Sequence, residues 1–110
     1  RLVGRQKAFE IATLGEKLPI AEAHRLGLVN QVVPAEQLDE AVLAVAQRYA
    51  NAPTKAIGLI KRMLHRSYES TLEDMLEQEK FGQEIAGRTE DYQEGVNAFV
   101  EKRKPVYQGR

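Results

Sequence analysis

"TEDYQEGVNAFVEKRKP", residues 89–105, reads as one helix with both of its ends marked. Thr89 is a residue whose side chain accepts a free backbone N–H at a helix start, and Glu90 and Asp91 put negative charge where the helix dipole favours it. Tyr92, Val96, Phe99 and Val100 recur at spacings of three and four, so they share a face, and that face is expected to turn to the core. Pro105 lacks an N–H and disfavours helical geometry at Lys104, which ends the helix at about Arg103.

The same punctuation runs upstream. "STLEDMLEQEKFGQEIAGR" (70–88) opens with Ser70 and Glu73 at the spacing of a capping box, and Gly87 stops a helix that runs to about Ala86. In "TKAIGLIKRMLHRSY" (54–68), Ile57, Ile60, Leu64 and Tyr68 share one face and Ala56, Leu59 and Met63 the next, a wide arc that predicts a largely buried helix. Leu38, Ala41, Val42, Val45, Ala46 and Tyr49 form the stripe of a helix over about 36–50, broken by Asn51, Ala52 and Pro53. Toward the start, a helix over about 5–14 is closed by Gly15, and a shorter one opened by Pro19 is closed by Gly27. "LVNQVV" (28–33) is β-branched and partly alternating, the pattern of a short strand or an extended connector. The expected fold is mainly α, with at most one strand near 28–33. The chain changes style at Pro34, giving two regions, 1–33 and the wholly helical 34–110.

Composition narrows the function. Sixteen basic and sixteen acidic residues cancel, so the long-range field that holds nucleic acid or an anionic membrane surface is absent from the average. With no cysteine there is no disulfide or thiolate metal site, which fits a cytoplasmic setting. No apolar run approaches the roughly twenty residues a bilayer needs. The pattern enters a helix almost at Arg1, as expected of a piece of a longer protein.

Candidate chemistry is sparse. Gly15, Gly27, Gly58, Gly82, Gly87 and Gly95 are isolated and form no phosphate loop. His24 and His65 sit beside arginines with no carboxylate or thiol at ligand spacing, which predicts exposed or half-exposed helix residues and no metal site. Paired acids at helix starts read as caps. Glu79 falls on the apolar line of Leu72, Met75 and Leu76, where a half-buried carboxylate would need a partner. Phe99, Lys102 and Arg103, at three and four residues, place an aromatic ring beside mobile cations. Two readings stay open for them: cations favoured at a helix C-terminus by about 0.3–1 kcal/mol each, or a site for a ligand with an aromatic ring and phosphates, with charge-assisted hydrogen bonds of about 1.5–3 kcal/mol.

Three stretches, "RLVGRQKAFEIATLGEKLPIAEAHRLGLVNQVVP", "APTKAIGLIKRML" and "DYQEGVNAFVEKRKPVYQGR", resemble in order and spacing the C-terminal portion of the crotonase superfamily of enoyl-CoA hydratases and isomerases. "LGEKLP" and "IAGRTEDYQEGVNAF" are similar to the branch of phenylacetyl-CoA catabolic isomerases. The resemblance implies an N-terminal spiral that binds acyl-CoA and a helical C-terminal region that builds trimers or hexamers. It also implies an upstream oxyanion hole with acidic residues that add or move protons, so that no catalytic residue falls in this segment. Residues 1–33 would then pack on the spiral and 34–110 would serve oligomerisation. The family places an aromatic residue and a lysine of the last helix against the adenine and phosphate of CoA held by a neighbouring subunit; these match Phe99 and Lys102. The CoA thioester would be substrate, and no further cofactor is expected. Pro19-Ile20 departs from the Ser or Thr cap of many members. A reading of a different class, a self-contained helical interaction module, is distinguished by whether a Gly-rich oxyanion segment precedes Arg1.

Overall fold

A computed structural model describes residues 1–110, and it is helical without a strand. Six α-helices follow one another: α1 Gly4–Leu14, α2 Ile20–Arg25, α3 Leu38–Ala50, α4 Thr54–Arg66, α5 Leu72–Gly87 and α6 Glu90–Glu101, with a 3₁₀ turn at Ala35–Gln37 before α3. The chain divides into two compact units, Arg1–Ala41 and Val42–Arg110.

In the first unit, glycine ends both helices as expected. Gly15 follows α1 in the left-handed region at φ +64°. Gly27, at φ +75°, closes α2 with a Schellman pair of hydrogen bonds, Gly27 N–H to the His24 carbonyl at 3.0 Å and Leu28 N–H to the Ala23 carbonyl at 2.9 Å. Residues 28–33 form a bend and an irregular connector rather than a strand. A strand exists only by pairing, and nothing in the chain offers these six residues a partner edge.

The second unit carries the candidate site. Helices α4 and α5 form a hairpin whose close approach is set at Gly82, where a β-carbon would already touch the Met63 side chain at 3.6 Å. The box that opens α5 sits one residue later than expected. Asp74 N–H donates to Thr71 Oγ1 at 3.1 Å, and Thr71 N–H donates back to Asp74 Oδ2 at 3.3 Å. Thr71 takes the extended N-cap backbone, at φ −71° and ψ 165°, while Ser70 still belongs to the preceding turn, where its hydroxyl donates to the Arg66 carbonyl. Thr89 caps α6 as predicted by accepting the Tyr92 N–H at 3.1 Å, and its own hydroxyl donates to the Ala86 carbonyl at the end of α5.

Burial departs from expectation. The arc of α4 is not enclosed, and Ile60 and Leu64 are exposed. Nor does the Tyr92–Val96–Phe99–Val100 face of α6 reach a core, since Phe99 is 86% and Val100 73% exposed. The enclosed residues of this unit are small or polar, namely Gly82, Ala98 and Asp91. An apolar stripe states that a face is to be covered, and here the cover is not supplied within the chain.

Candidate functional site

Every candidate binding residue lies on α6 or the tail after it. The helix ends in a second Schellman pair, with Lys102 N–H on the Phe99 carbonyl at 3.3 Å and Arg103 N–H on the Ala98 carbonyl at 3.0 Å. That motif needs a left-handed residue, usually glycine, and here it is Lys102 at φ +55°, the one non-glycine residue of the chain with positive φ. The helix therefore stops at Glu101, two residues before the expected Arg103. Because Lys102 has left helical geometry, ideal i,i+3 stacking on Phe99 does not apply to it.

The two cations are not equivalent. The Arg103 guanidinium grips both Glu94 carboxylate oxygens, at 2.5 and 2.8 Å, and donates to Glu101 through Nε at 2.6 Å. It is thus pinned rather than mobile, while Lys102 forms no ion pair within the chain. Hydrogen bonding from Arg103, and then from the Val106 N–H, holds the Glu94 carboxyl at about 2, well below its ordinary 4.5. Hydrogen bonds to Glu94, and then to Glu101, raise Arg103 further above its usual range. A depressed carboxylate favours the fold above its unfolded value and loses that contribution on protonation. The Arg103–Glu94–Val106 junction is accordingly expected to be intact above pH 4.5 and to open as pH falls toward about 2. Amide exchange at Val106 checks this, and Glu94→Gln should remove the pH dependence. A Val106 amide equally protected in wild type and Glu94→Gln at neutral pH would contradict it.

Beyond Pro105 the tail folds back along α6. Val106 N–H donates to Glu94 at 2.7 Å, Gln108 N–H to Asp91 Oδ1 at 2.6 Å, and Gly109 N–H to Asp91 Oδ2 at 2.8 Å. Asp91 N–H in turn donates to the Arg110 carbonyl at 2.9 Å. Asp91 is only 4% exposed. In sequence it looks like an ordinary first-turn acid, yet it clamps a backbone seventeen residues away. The one legible hint is that Asp91 and Glu94, three apart, face the same way. Gly109 is required at the tail's end. It sits at φ +76°, and a β-carbon there would fall 2.6 Å from Thr54 Oγ1 at the start of α4.

Docking of the tail forms a groove of about 420 Å³ whose lining includes Ala56, Tyr92, Gly95, Val96, Phe99 and Tyr107. Phe99 thus lies at the groove, whereas Lys102 is exposed and does not line it. The remaining candidates are not drawn together. His24 and His65 are exposed as expected; Glu79 is exposed rather than half-buried, because its side of α5 is uncovered. No group of three or more His, Cys, Asp or Glu side chains is placed to hold a metal ion.

The sequence profile of the enoyl-CoA hydratase/isomerase family matches residues 1–110. The chain belongs to the enoyl-CoA hydratase/isomerase family. It is 39% identical over 110 residues to the 1,2-epoxyphenylacetyl-CoA isomerase of Escherichia coli K12, covering 100% of this chain and 42% of that protein. Among solved structures, an enoyl-CoA hydratase subunit I from Geobacillus kaustophilus HTA426 superimposes with a TM-score of 0.93 at 36% identity, over 99% of this chain and 42% of that one. The enoyl-CoA hydratase of Bacillus anthracis gives 0.89 at 34%, with 99% and 42% covered. This enoyl-CoA hydratase/isomerase chain therefore spans about two fifths of the length of the relatives it matches, and its helical fold is shared with the matched part of the solved structures.

Proposed function

We infer that this chain is the part of an enoyl-CoA hydratase/isomerase that joins subunits and grips the nucleotide end of an acyl-CoA thioester. The enolate-stabilising donors and the acids that move protons are supplied by the part of the family fold outside the matched two fifths, so the chain alone is expected to be inactive. The 39% identity to a 1,2-epoxyphenylacetyl-CoA isomerase, with "LGEKLP" and "IAGRTEDYQEGVNAF", favours an acyl group derived from phenylacetate.

The observation that carries the gripping role is Phe99. An aromatic ring 86% exposed, at a groove and one turn before an unpaired lysine, contributes little to the fold as it stands but suits a flat base followed by phosphate. The subunit-joining role is supported by the uncovered faces of α4 and α5, where Leu64, Leu72 and Leu76 are all more than half exposed. Burying such a leucine fully is worth about 1.5–3 kcal/mol, a strong drive toward a partner surface.

The test is Phe99→Ala in the full-length enzyme that contains this segment. Loss of one stacking ring should weaken a CoA ester about fivefold, since base stacking on an aromatic is worth about 1–3 kcal/mol and this ring is at the exposed, weaker end. The corresponding acyl-pantetheine, which lacks the nucleotide, should bind both forms equally. An unchanged Kd for the CoA ester would reject the gripping role.

A further inference from the structure

We propose that Tyr107 is a second aromatic contact for the nucleotide end of the ester, and that Asp91 is the positioning residue that sets it by holding the tail backbone. The proposal rests on the gripping role of Phe99 and adds a residue from outside the helix. Tyr107 lines the same groove as Phe99. Its ring lies against the bare backbone of Gly95, where a β-carbon would come within 3.4 Å of the phenol oxygen. The backbone is tethered on both sides of the ring: Val106 N–H to Glu94 before it, and the Gln108 and Gly109 N–H groups to Asp91 after it. A half-buried ring on a backbone fixed at both ends is oriented before any ligand arrives.

Such an aromatic binds at low entropic cost, because few torsions remain to be frozen. The Tyr107 hydroxyl makes no hydrogen bond within the chain, so a polar handle is left over at a groove walled mainly by apolar and aromatic side chains, where the Thr89 hydroxyl is already engaged by Ala86 and Tyr92. Asp91 also borders the groove, but its two oxygens are spent on the tail, which leaves it no oxygen dedicated to a ligand. A ligand that is flat and aromatic, with hydrogen-bonding edges and an anionic continuation toward Lys102, fits this set; the adenine end of a CoA ester has that chemistry.

Phenylacetyl-CoA and phenylacetyl-pantetheine, titrated against the full-length enzyme containing this segment, separate the possibilities. Tyr107→Ala is expected to weaken the CoA ester about fivefold and leave the pantetheine ester unchanged. Tyr107→Phe, which keeps the ring, should bind within about twofold of wild type. Asp91→Asn keeps the shape but leaves one carbonyl oxygen for two N–H groups, and should weaken the CoA ester selectively and by less than Tyr107→Ala. If Phe99→Ala weakens the CoA ester and Tyr107→Ala does not, the role of Tyr107 is overturned while the Phe99 reading stands. If neither does, both fall. An equal loss on both esters in Tyr107→Ala would mark a purely structural tail and also overturn the proposal.

Discussion

Replacing Asp91 with alanine is expected to cost the α4–α6 unit about 3 kcal/mol and to release the C-terminal tail. The carboxylate accepts two charge-assisted backbone hydrogen bonds at 2.6 and 2.8 Å from a position only 4% exposed. Bonds to a charged group contribute about 1.5–3 kcal/mol each. Their simple sum overstates the loss, because a freed tail can swing into water and rehydrate its N–H groups. A first-turn acid adds about 0.3–1 kcal/mol through the helix dipole, which brings the expectation back to about 3. One residue earlier, Glu90 pairs with Arg110 in a bridge whose side chains are 70% and 67% exposed, so Glu90→Ala should cost under about 0.5 kcal/mol. Urea unfolding gives both numbers, and exchange at the Gln108 and Gly109 amides shows where the loss occurs. Equal, small effects for the two substitutions would mean that the tail is not held by Asp91.

Lys102→Gly should move stability and binding in opposite directions. At φ +55° a residue with a β-carbon is strained by about 1–2 kcal/mol relative to glycine, which the Schellman turn accommodates freely. Against this, a cation at the helix end returns about 0.3–1 kcal/mol. The net expectation is a gain of about 0.5–1 kcal/mol in thermal unfolding for the glycine variant. The same change removes the cation that is not committed to a carboxylate, and should weaken a CoA ester about tenfold by loss of a charge-assisted phosphate contact. Arg103 cannot substitute, since Glu94 and Glu101 already occupy it. A variant that gains stability and keeps its affinity would show that Lys102 serves neither fold nor ligand. A variant that loses stability would show that the left-handed turn is not a source of strain.

How much of this is legible without coordinates differs by feature. Gly15, Gly27, Thr89 and Pro105 set helix ends through their own geometry, and three of the ends fall where those residues place them; the fourth, at Pro105, falls two residues early. The box at 70–74 is ambiguous because Ser70–Glu73 and Thr71–Asp74 both fit the pattern. The choice turns on which residue takes the extended N-cap backbone, and that is set by how long the preceding turn runs: Ser70 is still within it, bonded to the Arg66 carbonyl. Phe99 and Lys102 stand out as candidates by residue type and by resemblance. Tyr107 does not, because its relation to Gly95 spans the reversal of the chain after Lys102.

Sequence by itself determined the elements and the family: helix periods, caps and stops are local, acting over four or five residues, and the order of motifs persists over all 110 positions matched by the family profile. Only the tertiary structure decided which charges are spent and which remain. The Glu94–Arg103 and Asp91–Gly109 contacts join residues nine and eighteen apart through a left-handed turn, and no periodicity reports on them. Burial was likewise undetermined, because hydrophobic attraction is non-directional: an apolar stripe specifies that water must be excluded, but not which surface excludes it.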